Sequence, residues 1–325
     1  MFFRTYPICC KVSNMFIPKV RLLRLYSASG KSRYKIKSFK GLLENEVLYG
    51  RSVCNIALQI SRRPIFRLHL LKLWETSEPT DSRVLETIEL ASKRGIPTSY
   101  KDRRTLDNMS SHRPHQSKGI CLEVGELPYV NLDEESCKTL CTTATHHSKI
   151  PIWILLVGII DPMNMGAILR SCLYFNVDNV IATTGCAPIT PVLSKASSGA
   201  AEILQVYSTD DPDYLVKFLR KTDWNIVGTV SEEQQFDNSL KNSPTVLDIS
   251  DAHIGKPSII IFGNEGSGIP AELLDLCTML VSIKASPPCI EQDSHQKSLR
   301  NLVGSLNVST AAAVILHEMT KKRIQ

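Results

Sequence analysis

Apolar and polar residues follow an alternating strand and helix pattern through the second half of the chain. Continuous apolar runs are typical of strands buried on both faces of a parallel sheet, and they predict strands at 153–159, 180–183, 225–230, 258–262 and 279–283. Amphipathic stretches between them predict helices at 164–175, 190–197, 211–221, 270–277 and 306–321. This alternation indicates an open, doubly wound α/β sheet with helices on both faces.

The first half carries a shorter version of the same pattern. It predicts a helix at 47–60, a strand at 65–71, a helix at 81–94 that Asp81 caps and Gly95 ends, and strands at 96–100 and 120–124. These elements predict a small α/β domain at 45–126. Residues 127–148 lose periodicity and gain Thr and Ser, which predicts a linker to a larger domain at 149–325.

The positive charge of the chain is concentrated at its N-terminus. The net charge is +6, yet residues 1–43 hold ten Lys or Arg and no Asp or Glu. Residues 45–125 carry a net +4 and residues 126–325 a net −7. A basic balance favours polyanionic partners, and outside the N-terminus that balance belongs to the small domain alone.

An acid-free start that contains Arg and Ser is typical of a mitochondrial transit peptide. We expect residues 1–40 to be such a peptide, with cleavage near residue 26 and delivery to the mitochondrial matrix. The alternative is a disordered basic tail that binds RNA directly. A secretory signal is not expected, because the segment lacks an apolar core of roughly 7–15 residues behind a compact charged start.

Neither membrane insertion nor metal binding is expected. The longest uncharged apolar run, at 150–160, is about half of the ~20 residues that a spanning helix needs. The ten cysteines form no paired framework, and free thiols are the default in a reducing compartment. Cys137, Cys141, His146 and His147 lie close in sequence, but adjacent histidines do not match zinc-ligand spacing.

Three stretches are richer in glycine and polar residues than packing requires. The first, 161–170, combines a helix cap with Gly166 and Ala167, whose small size permits close backbone approach, and ends at Arg170. The second, 258–270, is a buried strand followed by a glycine-rich loop and a proline-started helix. The third, 304–313, is a Ser/Asn cluster at a helix start. Each alone is also explained as a turn or a cap, and the glycine loop is not the G-x-G-x-x-G fingerprint of nicotinamide-dependent oxidoreductases.

In this order and spacing the three stretches resemble the signature motifs of the SpoU/TrmH family of RNA 2′-O-ribose methyltransferases. Residues 190–200 resemble a further family segment, and 48–51 with 115–119 resemble the family's L30e-like, ribosomal-protein-like RNA-binding module. The resemblance implies a SPOUT trefoil-knotted α/β methyltransferase domain, in place of an unknotted sheet, after a small α/β substrate-binding domain. It also implies S-adenosylmethionine as cofactor and a homodimer with the active site near the subunit interface.

The resemblance assigns roles to individual residues as well. Arg170 would be the catalytic residue, and the residues that orient it and the ribose would be Asn164, Glu265, Ser305 and Asn307. Backbone at Gly263, Ile283 and Leu306, with Gly266 and Gly268 in the glycine loop, would hold S-adenosylmethionine. Because a guanidinium is a permanent cation, we expect Arg170 to grip the adjacent phosphate and stabilise the developing alkoxide.

RNA contact is expected mainly from cations of the small domain. The candidates for phosphate contacts are Arg62, Arg63, Arg67, Arg113 and Lys118, with Lys72, Arg103 and Arg104. Together with the expected transit peptide, the family resemblance implies a guanosine in the peptidyl-transferase region of mitochondrial large-subunit rRNA as the substrate. A tRNA ribose methyltransferase and a catalytically silent rRNA-binding assembly factor are the alternatives, and the presence of all five catalytic candidates favours an enzyme.

One segment departs from the family pattern. Residues 284–304 are longer than the corresponding loop of bacterial members, and Lys284 stands where the family usually has Pro. A lid, a lineage insertion and a faulty gene model are the three interpretations of this segment.

Overall fold

The computed structural model describes residues 45–110, 117–145, 149–231, 246–284, 305–321 and 323. The expected transit peptide at 1–40 and most of the unusual segment at 284–304 lie outside these residues. The strands are β1 (Glu46–Tyr49), β2 (Ile65–Leu71), β3 (Thr98–Lys101), β4 (Ile120–Val124), β5 (Val130–Asn131), β6 (Ile152–Leu156), β7 (Asn179–Thr183), β8 (Val206–Thr209), β9 (Asn225–Thr229), β10 (Val246–Asp248), β11 (Ser258–Phe262) and β12 (Met279–Ser282).

The helices fill the intervals between these strands. They are α1 (Arg51–Ile60), α2 (Ser82–Lys93), α3 (Arg103–Met109), α4 (Glu134–Thr145), α5 (Pro162–Tyr174), α6 (Pro191–Ala196), α7 (Ala200–Ile203), α8 (Pro212–Lys221), α9 (Ala271–Leu274) and α10 (Val308–Lys321). Among the described helices, none is both long enough and apolar enough to cross a membrane.

A four-stranded sheet with the order β1-β4-β2-β3 forms the small domain. Its core holds Leu48, Leu58, Leu68, Val84 and Leu122, which are all fully buried. The helix predicted at 47–60 is wrong over its first residues, because the chain forms β1 there and turns into α1 only at residue 50. Gly50 has a φ of 93°, in the left-handed region that favours glycine, so strand and helix cannot be continuous.

The large domain is built on an eight-stranded sheet with the order β10-β12-β9-β11-β6-β7-β8-β5. Every pair of neighbouring strands is parallel. Apolar side chains that alternate along β6 enter two separate clusters: Ile154 packs on one face of the sheet and Trp153 and Leu155 on the other. The predicted α/β sheet with helices on both faces is therefore confirmed, while the path from β12 to α10, on which a knot depends, lies outside the described residues.

Residues 127–148 were predicted as a linker, and the described part of this segment, 127–145, instead extends the large domain. β5 pairs with β8 at the edge of the large sheet. α4 buries Cys137 and Cys141 against the cluster that holds Trp153 and Leu215. A two-residue strand and a helix rich in Thr give little hydrophobic periodicity, so the sequence pattern did not predict them.

The order of strands reverses beside β6. The chain passes from β6 to β7 and β8 on one side, whereas β11 and β9 lie on the other side. Loops that leave neighbouring strands in opposite directions open a crevice at the carboxyl ends of the strands, where α/β proteins bind ligands. The loops that follow β6 and β11 border this crevice, and they contain the first two motif stretches.

Candidate active site

The helix that follows β6 begins as the sequence predicts. Asp161 caps α5 by accepting a hydrogen bond from the Met163 amide at 3.0 Å, and Pro162 occupies the first turn. Two residues further on, Asn164 lies in this first turn with its side chain half-buried. The cap therefore fixes where the Asn164 amide stands relative to the end of β6.

The loop after β11 folds back on itself. Asn264 and Gly268 exchange two backbone hydrogen bonds, at 3.1 and 2.9 Å. A Cβ atom on Gly263 would lie 2.3 Å from the carbonyl carbon of Gly268, so only glycine permits this closure. Gly263 is thus required by the fold of the loop itself, and the tip formed by Glu265, Gly266 and Ser267 is exposed.

Asn264 fastens the closed loop to the neighbouring strand. Its Nδ2 donates to the carbonyl oxygen of Gly158 at 2.7 Å, and its Oδ1 accepts from the Gly266 amide at 2.8 Å. The first bond spans the reversal point between β6 and β11. Sequence reasoning missed this residue, although its place between a buried strand and two glycines was the available signal.

The third motif supplies a second oriented asparagine. Asn307 caps α10, because its Oδ1 accepts from the Ser309 amide at 2.9 Å and from the Ser309 hydroxyl at 2.6 Å. Capping leaves Nδ2 as the free end of the amide, and it donates to Oδ1 of Asn164 at 3.0 Å. Nδ2 of Asn164 in turn donates to Oε1 of Glu265.

These contacts bring three of the five catalytic candidates into one directed chain, Asn307 to Asn164 to Glu265. Each amide accepts on its oxygen and donates on its nitrogen, so the cap of α10 sets the orientation of the whole chain. Ser305 is exposed two residues before Asn307. Ile283 packs on the apolar cluster below the sheet edge, whereas Leu306 is 51% exposed.

Arg170, the fourth candidate, lies on α5 but does not bond to this chain among the described residues. Six residues of α-helix turn its side chain about 240° from that of Asn164. Its Nη1 instead donates to the hydroxyl of Ser198 at 3.1 Å, in the segment that joins α6 to α7. The site therefore has two parts, an amide–carboxylate chain and an exposed guanidinium on another face of the same helix.

The structure corrects one predicted RNA contact, Arg63, and shows that its neighbour Arg62 is partly engaged within the protein. Arg63 is 3% exposed and forms a two-bond ion pair with Glu202, at 2.9 and 3.1 Å, and a third bond to Glu46 at 2.6 Å. Arg62 donates to the backbone oxygens of Ala201 and Leu204. Both arginines thus join the small domain to α7. The buried Arg63 has no surface to offer RNA, whereas Arg62 stays partly exposed.

Most of the other predicted RNA contacts are exposed in the structure. Arg67, Lys72, Arg103 and Arg104 are exposed, and Lys118 is an exposed turn residue with a φ of 51°. Arg113 lies outside the described residues, as do His146 and His147 of the dismissed metal cluster. Within the described part of the chain no group of His, Cys, Asp and Glu side chains could hold a metal ion.

Comparison with known proteins gives two family-model matches. Residues 151–290 match the model described as "SpoU rRNA Methylase family", and residues 47–130 match "RNA 2′-O ribose methyltransferase substrate binding". Human "rRNA methyltransferase 1, mitochondrial" is 33% identical over 285 residues, which cover 86% of this chain and 73% of that protein.

More distant similarities extend to bacteria. The "23S rRNA (guanosine-2′-O-)-methyltransferase RlmB" of Coxiella burnetii is 28% identical, over 78% of this chain and 88% of that protein. The crystal structure of the SpoU methyltransferase AviRb from Streptomyces viridochromogenes, in complex with the cofactor AdoMet, superimposes with a TM-score of 0.60 at 18% identity. It covers 85% of this chain and 89% of that one.

Proposed function

Because the chain belongs to the SpoU family of rRNA methylases, we propose that it transfers a methyl group from S-adenosylmethionine to a ribose 2′-hydroxyl of rRNA. The resemblance inferred from the three motifs is confirmed at the level of the family. The observation that carries the proposal is the directed chain from Asn307 through Asn164 to Glu265. It joins all three motif stretches at the point where the strand order reverses.

The residues around this chain fit S-adenosylmethionine. Leu306, which is 51% exposed, offers apolar surface to an adenosyl group, and the exposed glycine-loop tip offers bare backbone. The exposed carboxylate of Glu265 would favour a ligand that carries a positive charge, as the sulfonium of this cofactor does. We infer that the glycine loop, Ile283 and Leu306 hold the cofactor, which when bound supplies the electrophilic methyl group.

The remaining chemistry falls to the protein's own side chains, which position the ribose and stabilise charge. Arg170 is an exposed permanent cation. Its planar guanidinium matches a phosphate and can stabilise negative charge that develops on the 2′-oxygen. The Asn164 and Glu265 end of the directed chain would orient the ribose by hydrogen bonds. Ser305, exposed two residues before Asn307, would add a hydroxyl to this set.

Arg170 shares its helix face with two exposed apolar residues. Residues 163, 170 and 174 lie within about 20° of one direction around α5. Met163 is 55% and Tyr174 is 82% exposed. Large apolar groups that flank an active arginine suit a protein interface, and we infer that a second copy of this chain covers them. Sedimentation analysis should then give a molecular mass of two chains for the wild type. The Tyr174→Glu variant should shift this mass towards that of a single chain.

We place this activity in the mitochondrial matrix, on a guanosine of the peptidyl-transferase region of large-subunit rRNA. Two observations support the location. The human relative is named as a mitochondrial rRNA methyltransferase, and residues 1–43 hold ten cations without one carboxylate. The name of the Coxiella burnetii relative specifies a guanosine of 23S rRNA.

The test is methyl transfer by the purified protein, produced without residues 1–40, from labelled S-adenosylmethionine. The acceptors are fragments of mitochondrial large-subunit rRNA and, separately, mitochondrial tRNA. Incorporation into an rRNA fragment, mapped to one guanosine, is the expected result. Incorporation into tRNA alone supports the tRNA enzyme instead, and rRNA binding without incorporation into either acceptor supports a silent assembly factor.

A further inference from the structure

A cavity of about 240 Å³ lies where the small domain meets the methylase domain. The first turns of α1 and α2 and the turn before β4 line it from one side, and α6 with the residues after it lines it from the other. The lining residues that carry the argument are Arg51, Ser52, Arg83, Lys118, Lys195 and Ser198. None of the residues assigned to methyl transfer or to cofactor binding lines this cavity.

Positive charge exceeds negative charge around the cavity. Four of its lining residues are cations, and one carboxylate, Asp81, pairs with Arg51 at 2.8 Å and with Arg83 at 3.3 Å. Among the described residues, no carboxylate oxygen lies within 4.0 Å of Lys118 or Lys195. Burial, together with the charge of Lys118, lowers the pKa of Lys195, although the thiol of Cys54 acts in the opposite direction. An anion in the cavity would relieve this unbalanced charge.

The start of α1 adds neutral donors to the same place. Gly50 is its N-cap residue and provides no side chain, so the amides of the first turn lack a side-chain cap. The cavity is lined by Ser52 and Val53 of that turn. Backbone N–H groups and the positive end of the helix dipole favour phosphate oxygens. The cations and the helix end therefore select the same ligand chemistry.

The cavity is joined to Arg170 through one shared residue. Ser198 lines the cavity, and its hydroxyl accepts the hydrogen bond from Arg170 at 3.1 Å. A polyanion strand that enters the cavity can thus continue to the guanidinium without leaving basic surface. A single small anion would not need this continuity, so the arrangement favours RNA over a free phosphate.

The joint between the domains keeps the two sides of the cavity in place. The buried ion pair of Arg63 with Glu202 bridges them, and the Ser194 hydroxyl donates to Glu202 at 2.7 Å. Lys195 follows Ser194 directly, and its Nζ lies 5.8 Å from the ring centre of Tyr49 in the small domain. The position of Lys195 is therefore fixed by the same contacts that fix the domains.

We propose that this cavity binds a backbone phosphate of the substrate RNA, beside the nucleotide whose ribose is presented to Arg170. This assignment rests on the proposed function for the identity of the target, but not for the binding of RNA. Lys195, Ser198 and Arg51 are thereby RNA-positioning residues that join the substrate-binding and methylase domains into one RNA surface.

The experiment measures binding of a mitochondrial large-subunit rRNA fragment to Lys195→Gln and Lys118→Gln at several salt concentrations. Matched controls are Lys93→Gln at the far end of α2 and Lys217→Gln on α8, both exposed. The slope of log K against log salt is negative, and loss of one phosphate contact reduces its magnitude by roughly 0.7–0.9. This corresponds to roughly four- to fivefold weaker binding at about 0.15 M salt. We expect this loss in each cavity variant, with unchanged affinity for S-adenosylmethionine and unchanged melting temperature.

Equal affinity and equal slope in cavity and control variants would overturn the assignment, as would a wild-type protein that does not bind the fragment. Inorganic phosphate provides the second arm. If it raises the melting temperature of the wild type but not of Lys195→Gln, while RNA affinity is the same in both, the cavity is a small-anion site. The protein could also bind RNA in a way that depends on Lys195 and yet not methylate rRNA. That result would overturn the proposed function but support the phosphate site.

Discussion

At the scale of single residues, the candidate site depends on the direction of its amide groups. The side-chain oxygen of Asn307 accepts the hydrogen bond of the helix cap, so its side-chain nitrogen is the atom that donates to Asn164. Asn164 accepts on its oxygen and therefore donates its own side-chain nitrogen to Glu265. Asparagine suits both positions, because an amide accepts from one neighbour on its oxygen and donates to the next on its nitrogen.

Substitution of Asn307 separates capping from orientation. Asn307→Asp keeps an oxygen for the cap, and Asp is as good a cap as Asn, but it loses the Nδ2 donor to Asn164. We expect a melting temperature close to the wild type and reduced methyl transfer. Asn307→Ala loses both functions and should cost about 1 kcal/mol of stability.

Thermal unfolding and initial rates of methyl transfer measure the two effects. If Asn307→Asp retained full activity, the directed chain would have no part in the reaction. If Asn307→Ala were as stable as Asn307→Asp, the contribution of the cap would be refuted.

At the scale of elements, most of the fold was predictable and its errors have local causes. β11 was predicted to the residue, and β6 and α5 within about three residues at each end, because buried parallel strands and capped helices have strong patterns. β8 was missed, since its four residues include polar side chains and form no continuous apolar run. The helix expected at 270–277 is shorter, ending at residue 274.

The site was predictable in its composition but not in its geometry. Motif resemblance indicated Asn164, Arg170 and Asn307, but which of them touch depends on two loops and a helix cap far apart in sequence. The different directions of Asn164 and Arg170 follow from a spacing of six residues on one helix. The burial of Arg63 could not be foreseen, because its partner Glu202 lies 139 residues away.

The contact between α5 and α6 makes Gly166 irreplaceable. A Cβ atom there would lie 2.7 Å from Cβ of Ala196 and 2.9 Å from the carbonyl oxygen of Leu193. The expectation that Gly166 allows another backbone to approach is thus confirmed. We predict that Gly166→Ala destabilises the protein by about 1–3 kcal/mol, as over-packing of a close contact does.

Gly185→Ala is the matched control, because nothing lies within 4 Å of the Cβ that it would add. Denaturant unfolding of both variants compares the two positions. A Gly166→Ala variant as stable as Gly185→Ala would show that α6 moves away freely, contrary to the packing described.

At the scale of the whole molecule, a buried ion pair holds the two domains together. Arg63 and Glu202 are 3% and 1% exposed, and Glu202 also accepts a hydrogen bond from Ser194. Burial raises the pKa of Glu46, the second partner of Arg63, although the guanidinium itself acts in the opposite direction. Removal of Arg63 would leave the carboxylate of Glu202 buried and unpaired.

We therefore predict that Arg63→Ala lowers the free energy of unfolding by about 3–5 kcal/mol. Arg67 is exposed on β2, just after Arg63 in the chain. Arg67→Ala should change the free energy of unfolding by no more than about 0.5 kcal/mol. Equilibrium unfolding of the two variants distinguishes a structural arginine from an exposed one. Similar stability of both variants would contradict the role assigned to the joint.

The same joint also positions the two domains for the proposed RNA surface. It holds the small domain, which carries the basic excess, against the domain that carries Arg170, and the cavity of Arg51, Lys118 and Lys195 lies between them. The proposed RNA surface is therefore local, on a chain whose methylase half is acidic overall.

In the proposed mechanism, Arg170 acts in methyl transfer to ribose and not in binding of the cofactor. The most direct measurement compares wild type and Arg170→Ala for two quantities, affinity for S-adenosylmethionine and formation of alkali-resistant 2′-O-methylated product on large-subunit rRNA. We predict nearly equal cofactor affinity and a loss of product of at least about a hundredfold, as for removal of a group that stabilises transition-state charge. If the Arg170→Ala variant retained methyl transfer, or lost cofactor binding as well, Arg170 would not have this role.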